Sequence, residues 1–93
     1  MDPAADLAVV LAVAGAFLDK VISFDTVVFG EVGLSAEVRS VSQIASRINE
    51  IERLGFKRCI CPKNNLNNMR AVLKSNKVEI IGVESVRQAL ESL

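Results

Sequence analysis

Residues 42–62 read SQIASRINEIERLGFKRCICP, and they encode a helix followed by a strand. Ser42 can cap the N-terminus of this helix with its hydroxyl group. Apolar residues then recur at the helical spacing, at Ile44, Ile48, Ile51 and Leu54. Gly55 is suited to end the helix, and Pro62 to stop the short strand 58–61. The stretch therefore predicts one unit of an α/β fold.

The sequence after Pro62 continues the same alternation. Residues 64–68 predict a loop, residues 69–73 a short third helix and residues 78–83 a buried strand. Ser85 can cap a last helix. The apolar face of that helix consists of Val86, Ala89, Leu90 and Leu93. Helices that alternate with strands favour parallel strands joined by right-handed crossovers.

The N-terminal part predicts a helix that is buried on most sides. Asp2 can cap it, Pro3 suits its first position, and residues 7–18 show no polar face. The apolar run is too short to span a membrane and lies between Asp6 and Asp19. A secretory signal would begin with basic residues, whereas this chain begins with acidic ones.

A β-hairpin is predicted between the first two helices. Residues 26–29 are rich in β-branched and aromatic side chains, and residues 38–41 alternate apolar and polar ones. We expect the two segments to pair, with the turn near residues 34–36. Four short strands and three amphipathic helices are few elements to cover the apolar first helix. We therefore expect either self-association or a domain whose first strands lie upstream of this chain.

The composition restricts the fold and the chemistry. The 93 residues are 51% apolar, with 11 basic and 11 acidic side chains, two cysteines and no histidine. This length allows one domain, and the apolar fraction is too high for a disordered chain. Without histidine, the Ser-His and Cys-His mechanisms are excluded within this chain. The catalytic arrangements that remain possible are a Ser-Lys dyad, a carboxylate pair or a site that lies elsewhere.

The zero net charge conceals a basic middle segment. Residues 1–37 hold six acidic side chains and one lysine, residues 38–77 hold nine basic and two acidic ones, and residues 78–93 hold one arginine and three glutamates. Such asymmetry points to a polyanionic partner. The candidates for DNA binding are Arg39, Arg47, Arg53, Lys57, Arg58, Lys63, Arg70 and Lys74.

We expect the contact face to comprise helix 42–54 and the loops around Lys57, Lys63 and Lys74. Phe56, the one aromatic residue among these charges, is predicted to be buried, so a stacking platform for bases is not expected. The alternative is that Arg47 and Arg53 only solvate a helix face and pair with Glu50.

Three other groups have structural interpretations. Cys59 and Cys61 point to the same side of a strand, but two thiolates make only half of a zinc site. They are predicted to be buried thiols in a reducing compartment. Glu31 and Glu37 are predicted to be surface carboxylates, and the asparagines of residues 64–68 an ordinary loop.

Several segments carry a resemblance to a known family. They are DPAADLAV at residues 2–9, VVFGEVGLS at 27–35, EVR at 37–39, LGFKR at 54–58 and PK at 62–63. These segments resemble the C-terminal, Lon-protease-like domain of the bacterial RadA (Sms) family of DNA repair proteins. The resemblance covers essentially the whole chain, residues 1–93. It implies a Lon-protease-like fold, of the type of the second domain of certain ribosomal proteins, here truncated at its N-terminal strands.

The resemblance also implies where a catalytic dyad would lie. In Lon-type proteases the nucleophilic serine begins the helix that matches residues 3–18, and that position is Ala4 here. The activating lysine falls on or near Ala45. Neither alanine can act as nucleophile or base, so no catalytic residues are expected. The alternative, a piece of a Lon-type ATP-dependent serine peptidase, would require both groups.

The remaining implications concern the full-length protein. The resemblance implies a cytoplasmic bacterial DNA-dependent ATPase that promotes branch migration of recombination intermediates. It would use ATP and Mg, carry a zinc finger, form a hexameric ring and meet single-stranded or branched DNA and a recombinase filament. This chain, which has no phosphate-binding loop, is expected to bind no cofactor and to form a dimer or larger assembly.

Overall fold

The computed structural model describes residues 3–66 and 77–93. The helices of this part are α1 (Asp6–Phe17), α2 (Ile44–Arg53) and α3 (Val86–Glu91). The strands are β1 (Thr26–Val28), β2 (Glu31–Val32), β3 (Val38–Arg39), β4 (Arg58–Pro62) and β5 (Glu79–Val83). Two short 3₁₀ turns, Pro3–Ala5 and Lys63–Leu66, precede α1 and follow β4. No helix of this part is long and apolar enough to cross a membrane.

The main sheet is parallel, as the alternation of helices and strands predicts. Its order is β1-β4-β5, so β4 is the central strand. Cys59 of β4 lies opposite Val27 of β1 and Ile80 of β5. The predicted α/β fold with a hairpin followed by alternating helices and parallel strands is therefore confirmed.

The hairpin is present, but its first strand differs from the predicted one. β2 pairs with β3, with Val32 opposite Val38, whereas β1 joins the main sheet. The prediction that residues 26–29 form the hairpin was wrong. Gly30 separates the two strands because its N–H donates to the Ala4 carbonyl at 2.7 Å, and its carbonyl accepts from the Leu7 N–H at 2.9 Å.

The core has two layers, one on each side of β4. Side chains alternate across a strand, so Ile60 faces one side and its two cysteine neighbours the other. Ile60 packs in a cluster with Leu7, Leu11, Val38, Val83 and Ala89. Cys59 and Cys61 pack in a second cluster with Phe29, Ile51 and Val78. Burial on both faces explains the apolar run in β4.

Helix α1 is buried on one side only, so the expectation of burial on most sides was wrong. The buried positions follow one another at intervals of four residues, at Leu7, Leu11 and Gly15. The exposed side carries Val9, Val13 and Phe17. A run without polar residues has no pattern that tells which side faces the core.

Of the two predicted serine caps, one is confirmed and one is wrong. The Ser85 hydroxyl accepts a hydrogen bond from the Gln88 N–H at 3.2 Å, at the start of α3. At α2 the N-cap position is Gln43, with φ 56°, and no side chain caps the helix. Gly55, with φ 86°, follows α2 as predicted. The predicted cap Asp2 and helix 69–73 lie outside the described residues.

These caps give the first testable prediction. Ser85→Ala should lower the free energy of unfolding by about 1 kcal/mol, because the Gln88 N–H loses its acceptor. Ser42→Ala is the matched control, and its effect should stay below about 0.5 kcal/mol. Urea unfolding followed by circular dichroism measures both. If both variants lost the same free energy of unfolding, the assignment of Ser85 as the cap of α3 would be contradicted.

Candidate functional site

The start of α1 is hydrogen-bonded to Gly30, the residue that precedes the hairpin. The two backbone hydrogen bonds with Gly30 fix the turn Pro3–Ala5, and Ala4 is only 4% exposed. A Cβ atom at position 30 would lie 3.0 Å from the Val38 side chain and 3.2 Å from that of Leu7. The close approach of the two backbones therefore depends on glycine at this position.

A cleft of about 230 Å³ opens beside this turn. Its walls come from the start of α1, the hairpin and the segment that leads into α2. The lining residues are Pro3, Ala4, Glu31, Ser40, Val41, Ser42 and Arg47. Ala45, half-buried in the first turn of α2, lies in sequence between the lining residues Ser42 and Arg47. The fold thus brings the Ala4 position and the first turn of α2 to the same cleft.

The described polar side chains that line the cleft are two hydroxyl groups, one carboxylate and one guanidinium. Ser40 and Ser42 offer two hydroxyl groups, but none of the described residues that line the cleft is Lys or His. The Arg47 guanidinium offers hydrogen-bond donors and no acceptor. The Nε atom of Arg47 donates to the Ser42 carbonyl at 2.9 Å. Glu31 contributes a carboxylate, which is a weak base.

A larger cleft on the other side of α2 was not predicted. Its volume is about 430 Å³, and it is lined by Val27, Phe29, Gln43, Ser46, Arg47, Glu50 and Ile51. The guanidinium carbon of Arg47 lies 5.9 Å from the centre of the Phe29 ring, a cation–π distance. An aromatic ring therefore accompanies one of the predicted DNA-binding residues. Phe29 is 18 residues before Arg47, so linear spacing could not indicate the contact.

The fold divides the predicted basic residues between two edges of the sheet. Arg58 begins β4 and Lys63 follows its end, so about 16 Å of strand separates them. Arg53 and Lys57 lie at the edge where β4 begins, because a short loop joins α2 to β4. Arg39 lies at the opposite edge, because the N–H of its neighbour Val38 donates to the carbonyl of Glu84, the residue that pairs with Lys63. Arg47 also lies at that edge, beside the Phe29 ring that follows β1. Arg70 and Lys74 lie outside the described residues.

Most of the described basic candidates face carboxylates. The nitrogen–oxygen distances are 3.6 Å for Arg39–Glu37, 3.2 Å for Arg58–Glu79 and 3.2 Å for Lys63–Glu84. Arg53 pairs with Glu50, which lowers the pKa of that carboxyl group. Each carboxylate reduces the attraction of its partner for a phosphate. Exposed Lys57 has no ion pair among residues 3–66 and 77–93.

The acidic partners include residues that sequence reasoning missed. Glu79 and Glu84 belong to the acidic last segment of the chain, and the parallel pairing of β5 with β4 brings them beside the basic middle segment. Backbone N–H groups of Glu37 and Ser35, and then Arg39, lower the pKa of Glu37, so this surface carboxylate is ionised at neutral pH. The predicted surface position of Glu37 is confirmed.

The cysteine pair is buried, as predicted. Cys59 and Cys61 are free thiols with no exposed surface. The hydrogen bond between the two side chains and their burial raise the pKa of Cys59. No group of three or more His, Cys, Asp or Glu side chains in the described residues could hold a metal ion.

The second prediction concerns these thiols. In the folded chain at pH 8, both cysteines should react with a soluble aromatic disulfide reagent at least a hundredfold more slowly than a free thiol, because they are inaccessible and Cys59 remains protonated. Unfolding in urea should release two reactive thiols per chain. Leu34→Cys provides the control, since position 34 is fully exposed. Rapid reaction of the unmodified folded chain would contradict the burial.

Comparison with known proteins places the chain in a family. The profile of the Lon protease (S16) C-terminal proteolytic domain matches residues 2–93. The chain belongs to this family, and its Lon-protease-like fold is confirmed.

Within the curated proteins, the chain is similar to bacterial proteins named DNA repair protein RadA. It is 42% identical over 90 residues to that of Halalkalibacterium halodurans, covering 97% of this chain and 19% of the relative. It is 43% identical over 91 residues to that of Bacillus subtilis, covering 98% of this chain and 19% of the relative. The chain thus spans about a fifth of the length of these relatives. The predicted resemblance to the RadA family is confirmed.

Proposed function

We propose that this chain is a non-proteolytic, Lon-like scaffold module of a RadA-type protein that works in DNA repair. The observation that carries the proposal is the buried alanine at the start of α1. Ala4 is buried and hydrogen-bonded through its carbonyl at the wall of a cleft, where the family resemblance places the nucleophile of a peptidase. The similarity to RadA proteins supports the DNA repair role.

The chemistry of the cleft supports a role without catalysis. Covalent hydrolysis of a peptide needs a nucleophile and a nearby base of suitable pKa. Ala4 and Ala45 provide neither, and the described lining residues include no lysine to replace them. A Lon-type peptidase, the alternative function, would depend on the hydroxyl groups of Ser40 or Ser42. The cation among the described residues that line the same cleft is the guanidinium of Arg47, which donates hydrogen bonds and accepts none.

The third prediction tests this absence of peptidase activity. The purified chain should leave casein and a fluorogenic peptide intact, and a serine-directed phosphonofluoridate should not label it. An active Lon-type protease assayed in parallel is the positive control. Cleavage that the reagent abolishes would overturn the proposal, and loss of that cleavage in Ser40→Ala or Ser42→Ala would identify the nucleophile.

The proposal extends to the full-length protein. There, the module helps to build a hexameric ring of a DNA-dependent ATPase that drives branch migration of recombination intermediates. ATP, Mg and Zn act in other parts of that protein. Its partners are single-stranded or branched DNA and a recombinase filament, and it works in the cytoplasm.

The DNA contact of this module is centred on Lys57 in the proposal. Phosphate binding needs accessible cations, and four of the six described candidates already face carboxylates. Lys57 is exposed, and it lies at the same sheet edge as Arg53 and Arg58. Arg53 and Arg58 each lie beside a carboxylate, so they add less to this contact than Lys57 does.

The fourth prediction separates DNA contact from a purely structural role. Lys57→Glu should weaken binding of single-stranded DNA several-fold and reduce the slope of log affinity against log salt by about 1. Lys63→Glu, at the opposite edge and beside Glu84, is the matched control and should change affinity less. Fluorescence anisotropy with labelled oligonucleotides measures both. If both variants bound single-stranded DNA with unchanged affinity, the contact at Lys57 would be excluded. Assembly would then remain as the function of the module.

A further inference from the structure

The 3₁₀ turn after β4 carries an amide side chain that binds the backbone of a distant segment. The Val41 N–H donates to Oδ1 of Asn65 at 2.9 Å, and Nδ2 of Asn65 donates to the Val41 carbonyl at 2.9 Å. The two residues lie 24 positions apart in the chain, and both are half-buried. One side chain thus satisfies both polar groups of a residue, as the backbone of a neighbouring strand does. The amide therefore fixes the backbone at Val41.

The segment that Asn65 holds leads directly to Arg47. Val41 and Ser42 both line the cleft of about 230 Å³. The Ser42 carbonyl accepts a hydrogen bond from Nε of Arg47 at 2.9 Å. The residue that Asn65 holds and the residue that holds Arg47 are therefore adjacent in the chain. Through these two residues, the position of the amide determines the position of the guanidinium.

The Arg47 guanidinium is held on two sides. Its Nε atom binds the Ser42 carbonyl, and its central carbon lies 5.9 Å from the centre of the Phe29 ring. Phe29 is only 6% exposed, so this ring belongs to the core. Arg47 is half-buried and lines the clefts on both sides of α2. A guanidinium fixed in this way loses little further side-chain freedom when it binds a phosphate group, whose geometry suits its fork of donors.

We propose that Asn65 is a positioning residue for DNA binding, because it holds Arg47 as a second phosphate contact at the cleft beside Ala4. The inference rests on the proposed function, in which this module contacts DNA. Arg47 and Lys57 lie at opposite edges of the sheet, so each meets a different phosphate group. Asn65 itself touches no DNA and acts through the backbone that orients Arg47.

The other groups of the cleft make the position of this phosphate testable. The hydroxyl groups of Ser40 and Ser42 can donate to phosphate oxygens. Glu31, on the hairpin wall, carries a negative charge that opposes a phosphate in the same cleft. Glu31→Gln should therefore raise the affinity for single-stranded DNA by about twofold or more. Asp19→Asn is the matched control, since it removes one negative charge beyond the far end of α1 and asparagine tolerates the left-handed backbone there.

Fluorescence anisotropy with labelled single-stranded DNA tests the positioning role. Arg47→Ala should weaken binding by about tenfold. It should also reduce the slope of log affinity against log salt by about 1, because one charge is lost. Asn65→Ala should weaken binding by about threefold with an unchanged slope, because the charge of Arg47 remains and only its fixed position is lost.

A double-mutant cycle and a matched control complete this measurement. In the Arg47→Ala background, Asn65→Ala should cause no further loss of affinity, because the two residues act as one unit. Asn64→Ala alters the exposed neighbour in the same 3₁₀ turn and should leave the affinity unchanged. Circular dichroism checks that every variant folds.

Hydrogen exchange tests the positioning role without DNA. The Arg47 Nε–H group, followed by heteronuclear NMR, reports its bond to the Ser42 carbonyl. Its exchange should be several-fold faster in Asn65→Ala and unchanged in Asn64→Ala. Asn65→Asp retains the acceptor for the Val41 N–H and loses the donor to the Val41 carbonyl, so its exchange rate should lie between the two.

The outcomes distinguish this inference from the proposed function. If Lys57→Glu weakens DNA binding and Arg47→Ala does not, the proposed DNA contact stands and the contact at Arg47 is overturned. If Asn65→Ala and Arg47→Ala act additively, or if the Nε–H exchange is the same in Asn65→Ala as in the unmodified chain, Asn65 does not act through Arg47. An unchanged affinity in Glu31→Gln would remove the phosphate from this cleft. If neither Lys57→Glu nor Arg47→Ala changes the affinity, the DNA contact of the proposed function fails as well.

Discussion

The structure depends on the reciprocal backbone contact between Gly30 and the start of α1. The Gly30 N–H donates to the Ala4 carbonyl, and the Gly30 carbonyl accepts from the Leu7 N–H. This contact separates β1 from the hairpin, directs Leu7 into the core and forms one wall of the cleft beside Ala4. A side chain at position 30 would meet those of Val38 and Leu7, so the contact requires glycine.

The fold determines which side chains line the cleft and which charged groups meet on the surface. The cleft is lined by the turn before α1 and by the start of α2, and the side chain that the turn places there is that of Ala4, which has no reactive group. On the surface, the folding of residues 78–93 against the central strand brings glutamates to two basic residues. The basic middle segment is thus less positive in three dimensions than along the chain.

Sequence reasoning succeeded where local signals and burial agreed. β4 is apolar over its whole length because it is buried on both faces, and the Ser85 cap lies directly before an amphipathic helix. The prediction from sequence failed where one segment could adopt either of two local structures. Thr26–Val28 can pair in a hairpin or join a parallel sheet, and the pairing partner Arg58–Pro62 lies some thirty residues away. Ser42 has cap chemistry, but the backbone at Gln43 turns the chain before the helix begins.

The amino-acid order alone was sufficient for the α/β class and the family resemblance. These features depend on residue identity and on periodicity within single elements. Long-range contacts were needed to establish which side of α1 is exposed, that the basic residues occupy two edges, and that Phe29 lies under Arg47. The physical reason is that each of these features depends on the packing of segments far apart in the chain. That packing cannot be predicted from the apolar period of one helix or from the composition of one segment.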